Sequence, residues 1–148
     1  MKYIKIYEDM RPVNKVEDAS FEKLFNHFDK IFSNLGYHSV DYEEIRTKEF
    51  YKDHDYMFTF AIKTRLSALL IYKKSISNQD EIQNFIPEYF KTIKGLKYMG
   101  EKYSGAIDFE IAPYMYKTTD LVHNIDDIIS QISLENFQLK FDSFKYNI

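Results

Sequence analysis

The chain contains no cysteine, no tryptophan, only four glycines and only three prolines in 148 residues. Without cysteine there can be no disulfide, no thiolate nucleophile and no zinc–thiolate site, and nothing calls for an oxidising compartment. Gly36, Gly95, Gly100 and Gly105 stand apart, and none opens a helix with Lys-Ser or Lys-Thr, so a phosphate-cradling loop is missing. No serine sits in a Gly-x-Ser-x-Gly elbow, which removes the usual signal of a hydrolase triad. No apolar run approaches the ~20 residues of a membrane helix. The opening MKYIKIYEDMRPVNK alternates apolar with charged residues where a signal peptide needs an apolar core. A cytoplasmic protein with no membrane partner is expected. A basic excess is also missing: residues 1–74 carry thirteen Lys/Arg against twelve Asp/Glu, residues 75–148 seven against eleven, and the formal charge is -3. Duplex-binding domains draw most of their affinity from phosphate contacts, so this balance argues against one.

What is abundant is aromatic. Thirteen Tyr and thirteen Phe bring the aromatic share to 18% and the apolar share to 45%, far more than a disordered segment holds. A chain of this length forms one domain with its own core, so residues 1–148 are read as a single domain. Abundant Lys, Ile, Asn, Phe and Tyr also fit an AT-rich genome, which supplies aromatics without selection for function.

Periodicity then gives the elements. Residues 2–7 alternate Tyr3, Lys5 and Tyr7 against Ile4 and Ile6, as a strand does. SFEKLFNHFDKIFSNLG sets Phe21, Leu24, Phe25, Phe28, Ile31, Phe32 and Leu35 at helical spacing, with Asp18 or Ser20 to cap and Gly36 to stop. Three strands are expected at roughly 38–51, 55–63 and 66–73, with Tyr56, Phe58, Phe60 and Ile62 along one face of the second; 66–73 also fits a buried helix. A helix after Ser77 or Asn78 reaches Gly95 and should kink or divide at Pro87. A hairpin follows, with Ile107, Phe109 and Ile111 inward and Asp108 and Glu110 outward. Pro113 should end or edge that strand. A third helix, capped by Thr118, Thr119 or Asp120, buries Leu121, Val122, Ile125, Ile128, Ile129 and Ile132; FQLKFDSF, alternating from Phe137, reads as a last strand. The order β-α-β-β-β-α-β-β-α-β implies an α+β fold, a mixed and largely antiparallel sheet with about three helices mainly on one face.

Three constellations could carry chemistry. Asp53-His54-Asp55 could orient a histidine or hold a metal, but adjacent side chains on extended chain diverge and aspartate favours turns, so a hairpin corner is expected. Asp108 and Glu110 share a strand face, as paired acids or Mg²⁺ ligands would, and with a histidine they define the alternative of a small metal-dependent hydrolase. No lysine follows closely enough to complete a nuclease pattern, so a solvated face is expected there. Tyr56-Met57-Phe58-Thr59-Phe60, with Tyr3, Ile4 and Tyr7, resembles the paired aromatic strands of RNA-recognition domains, although that motif's glycine and leading basic pair are absent. The resemblance implies single-stranded bases stacking on Tyr3, Tyr56 and Phe58.

No reaction is assembled by these residues, and no cofactor, metal or catalytic residue is expected. The leading expectation is a non-catalytic protein that binds another protein, as an inhibitor, immunity factor or accessory factor of a phage or mobile element would. Tyrosine and arginine are favoured at interfaces, which singles out Tyr42, Arg46 and Tyr51, and Tyr114 and Tyr116 beyond Pro113.

Overall fold

In the computed structural model, residues 15–64, 67–111 and 118–146 are described. The strand expected at 2–7, Pro113 and its tyrosine neighbours lie outside them. The first helix, α1 (Lys15–Ser33), buries Phe21, Leu24, Phe25, Phe28, Ile31 and Phe32 on one stripe. It starts earlier than expected, so Asp18 is not its cap. Asp18 lies in the first turn, where the helix dipole favours acids, and its carboxylate accepts from Arg46 at 2.5 Å. The helix ends where Gly36 takes a φ of +95° and the Leu35 and Tyr37 amides both donate to the Phe32 carbonyl, each at 3.0 Å.

The single strand expected at 38–51 is two strands, β1 (His38–Tyr42) and β2 (Thr47–Lys52), paired as a hairpin. A 3₁₀ turn at Glu43–Ile45 separates them, and Arg46 closes it in the left-handed region (φ 45°, ψ 56°). The strain of that conformation is offset by the guanidinium, which donates to Thr64 at 2.8 Å and to Asp18 and lies over the Phe21 ring. Asp53 (φ 56°) and His54 then turn the chain into β3 (Asp55–Thr64), making the expected hairpin corner. The next strand, β4 (Ala68–Lys74), settles the choice left open by periodicity: Ala68, Leu70 and Tyr72 are buried beneath the helices, while Leu69 and Ile71 point the other way.

Helix α2 (Glu81–Phe90) is capped by Asp80, whose side chain accepts from the Gln83 amide while the Gln83 side chain accepts from the Asp80 amide. Pro87 neither divides nor ends it. The proline has no N–H for the carbonyl four residues back, that of Gln83, and the buried Tyr72 hydroxyl donates to that carbonyl instead, at 2.8 Å.

Strands β5 (Leu96–Glu101) and β6 (Ile107–Ile111) form the expected hairpin, with an irregularity between Tyr98 and Glu101 where Gly100 has a φ of +97°. The third expected helix is α3 (Thr118–Gln131). The expected last strand is instead a fourth helix, α4 (Leu134–Tyr146). Ser133 starts it by accepting from the Asn136 amide, and Phe137, Phe141 and Phe144, at helical spacing, all meet Phe85. Leu139, which a strand would have buried beside Phe137, is 65% exposed.

The described residues thus form an α+β fold: a six-stranded antiparallel sheet, ordered β1-β2-β3-β4-β6-β5, and four helices rather than three. The helices share one aromatic-rich core with a single face of the sheet. Phe28 meets Phe60 and Phe90, Phe32 meets Phe50, Phe58 and Phe137, and Phe90 meets Phe109. None of the described helices is long and apolar enough to cross a membrane.

Candidate functional site

Strand alternation sends half of each strand's side chains away from the helices, and no described helix covers that side. At its β1–β2–β3 end, the register sets His38 opposite Tyr51, Val40 opposite Glu49 and Tyr42 opposite Thr47. Across the next pair, Tyr51 faces Tyr56 and Glu49 faces Thr59.

Tyr56 is on this open face because of one extra residue. Phe50 pairs with Phe58, yet Tyr51 pairs with Tyr56, so Met57 is unmatched and forms a bulge. Strict alternation would have kept Tyr56 with Phe58, Phe60 and Ile62 on the core face. The bulge turns Tyr56 over, a correction to the expected single stripe. Buried partners hold the displaced backbone: the Met57 carbonyl accepts from the Ser75 amide at 2.8 Å and from the Gln83 side chain at 2.5 Å. The Asn78 side-chain amide donates to the Tyr56 carbonyl at 3.2 Å.

The result is an aromatic cluster around one carboxylate. The His38 and Tyr51 rings stack at 5.8 Å, 8° from parallel, and the Tyr51 and Tyr56 rings meet edge to face at 5.8 Å. The His38 ring is steered by a 2.6 Å hydrogen bond between its Nε2 and the Asp53 carbonyl. The Tyr51 hydroxyl donates to Glu49 Oε1 at 2.8 Å. That hydrogen bond, then burial, then the negative charge of Glu49, push the Tyr51 phenol up to about 12, and Tyr42 and Tyr56 lie close enough to add to the rise. Burial also raises Tyr56, whose hydroxyl bonds that of Thr59. Among the described residues no lysine or arginine pairs with Glu49.

The candidates named from the sequence therefore separate. Tyr51 and Tyr56 meet on the open face, and Tyr42 lies on the same face farther along β1. Arg46 points away from it and ties α1 to the sheet through Asp18 and Thr64. Phe58, 0% exposed, packs against Phe32, Phe50, Phe60 and Tyr72. Tyr3, Tyr114 and Tyr116 lie outside the described residues. Asp108 and Glu110 do share the open side, opposite Ile71 and Leu69. Asp108 is not the solvated residue expected: it is 8% exposed, with Lys102 Nζ at 3.8 Å. No group of three His, Asp or Glu capable of holding a metal ion occurs among the described residues. His54 is exposed at its hairpin corner, and His27 bonds the Ile132 carbonyl at the end of α3.

His38 and Glu49 were missed by sequence reasoning. Folding residues 38–52 about the polar stretch DYEEIRT would have placed both beside Tyr51, since a turn there sets 38 opposite 51 and 40 opposite 49. Compared with known proteins, the chain matches no family model, no curated protein and no solved structure.

Proposed function

We propose that the chain is a non-catalytic protein that binds another protein through the open face of its sheet, centred on Tyr42, Tyr51, Tyr56 and His38. The observation carrying this reading is a sheet face that no described helix covers, on which Tyr42 and Tyr51 are joined by Tyr56 through a bulge whose carbonyl a buried glutamine holds. Tyrosines offer a large contact area with a polar tip and little side-chain entropy to lose, which is why they dominate the energetic centres of interfaces. Val40 and Tyr42 on β1, both exposed, extend the apolar surface toward the sheet edge. A small domain presenting one such face fits an inhibitor, an immunity factor or an accessory factor, in a cytoplasmic setting.

Single-stranded nucleic acid is the weaker reading. Its rings would need a basic surround, whereas Glu49 stands among these and Phe58 is sealed in the core. Affinity capture from the source cells, followed by binding measurements with the purified captured protein, tests the choice. A double Tyr51→Ala, Tyr56→Ala variant with an unchanged circular dichroism spectrum is expected to lose at least ~2 kcal/mol of binding. Recovery of nucleic acid alone, or an unweakened variant, overturns the proposal.

A further inference from the structure

We infer that the cluster of His38, Tyr51, Tyr56 and Glu49 seats a cationic side chain of the partner, an arginine in preference to a lysine. This rests on the protein-binding reading above and names the chemistry that the face would select.

The first support is a carboxylate without its counter-charge. Three other charges at or beside this sheet are matched internally, Lys48 with Asp41 at 2.8 Å, Arg46 with Asp18 at 2.5 Å and Lys102 with Asp108 at 3.8 Å. Glu49, half-buried in mid-strand, has no such cation among the described residues. Its Oε1 accepts the Tyr51 hydroxyl, a bond that fixes the carboxylate's position while leaving the charge in place. A half-buried carboxylate gains most from a partner that brings charge and N–H donors together.

The second support is the surround. Elsewhere the chain lays its own cations over aromatic rings, Lys52 over Tyr37 at 5.5 Å and Lys91 over Tyr98 at 4.5 Å, but no described cation lies over Tyr51 or Tyr56. Ring faces attract cations through their quadrupole. A guanidinium is flat, so it can lie against a tyrosine ring while its edge donates to Glu49, and it sheds water more readily than an ammonium does. Those properties favour arginine over lysine here.

The test is an NMR titration of the full chain with N-acetyl-arginine amide and, separately, with N-acetyl-citrulline amide, which has nearly the same shape without the charge. Saturable shifts of the Tyr51 and Tyr56 ring signals are expected with arginine, at least about tenfold weaker with citrulline, and lost in Glu49→Gln. Equal responses to the two probes, or an undiminished response in Glu49→Gln, overturn the inference. The captured partner separates this inference from the reading beneath it. If Tyr51→Ala, Tyr56→Ala abolishes partner binding and Glu49→Gln leaves it unchanged, the cation seat is wrong and protein binding stands. If the arginine probe binds as expected but no protein depends on the tyrosines, the seat stands for a small cationic ligand and the protein partner falls.

Discussion

At the scale of single residues, the environment of Tyr51 makes the most direct prediction. Its phenol, tied to Glu49, should titrate near pH 12 rather than near the ordinary 10.0, and Glu49→Gln should bring it back toward the ordinary value. Following the ring signals of Tyr51 by NMR between about pH 8 and about pH 10.5, where the fold still holds, reads both: the phenol beside Glu49 stays neutral there, and the Glu49→Gln phenol begins to ionise. Lys48 is a second residue with a definite outcome. It is 2% exposed and is satisfied by Asp41 at 2.8 Å and Ser39 at 3.4 Å, so it lies buried under α1 as a charge with one partly exposed partner. Desolvation offsets much of the attraction in such a pair. Lys48→Met together with Asp41→Asn should therefore change stability by no more than about 1 kcal/mol, while Asp41→Ala alone, which leaves the ammonium unpaired, should cost more. Urea unfolding of both variants compares them. Neither Lys48 nor Glu49 was legible from residue type, because both lie in one run, TKEFYK, whose alternation reads only once the turn at Glu43–Ile45 is located.

At the scale of elements, Gln83 links three features that lie apart along the chain. It completes the capping box of α2, donates to the Met57 carbonyl at the bulge, and its own carbonyl, freed by Pro87, accepts from Tyr72. Gln83→Leu removes the first two at once and leaves the Met57 carbonyl with one partner fewer in a site where Gln83 is fully buried; a loss of roughly 2–4 kcal/mol is expected in urea unfolding, about 1–3 kcal/mol for each buried group left short. Asp80→Ala, which removes only the cap, should cost less, about 0.5–2 kcal/mol. Helices α1, α2 and α3 were legible because their apolar stripes are long and regular. Two of the departures from expectation have one cause. A period-2 alternation at FQLKFDSF and a period-2 stripe from Tyr56 to Ile62 both looked like strand faces, yet one is a helix and the other is interrupted by a bulge. Phe137, Phe141 and Phe144 satisfy the helical period equally well, and only Phe85 on α2 decides between them. Bulges leave no mark in a pattern of residue types, and Met57 is as apolar as the core residues it interrupts.

At the scale of the molecule, the core carries phenols that must stay neutral. Burial raises Tyr37, Tyr72 and Tyr89 above the ordinary 10.0, Tyr89 to about 12. In the unfolded chain these groups ionise near pH 10, before they can in the fold, so stability is fully present below pH 10 and falls as pH rises beyond it. The slope is about 1.4 kcal/mol per pH unit for each such tyrosine, with the Tyr89 contribution gone by about pH 12. Urea midpoints at pH 8, 10 and 11 should show a plateau and then a steep decline. Tyr72→Phe should flatten that decline while lowering stability at pH 8, because the Gln83 carbonyl loses its donor.

Tyr56 joins Tyr51 and His38 on the open face only because the bulge at Met57 turns it away from the core. A nuclear Overhauser experiment on the aromatic protons measures this directly. Cross-peaks between the Tyr56 and Tyr51 rings, with none between Tyr56 and Phe60, are the predicted result. A Tyr56 ring that contacts Phe60 and Phe28 instead, and not Tyr51, would contradict the account.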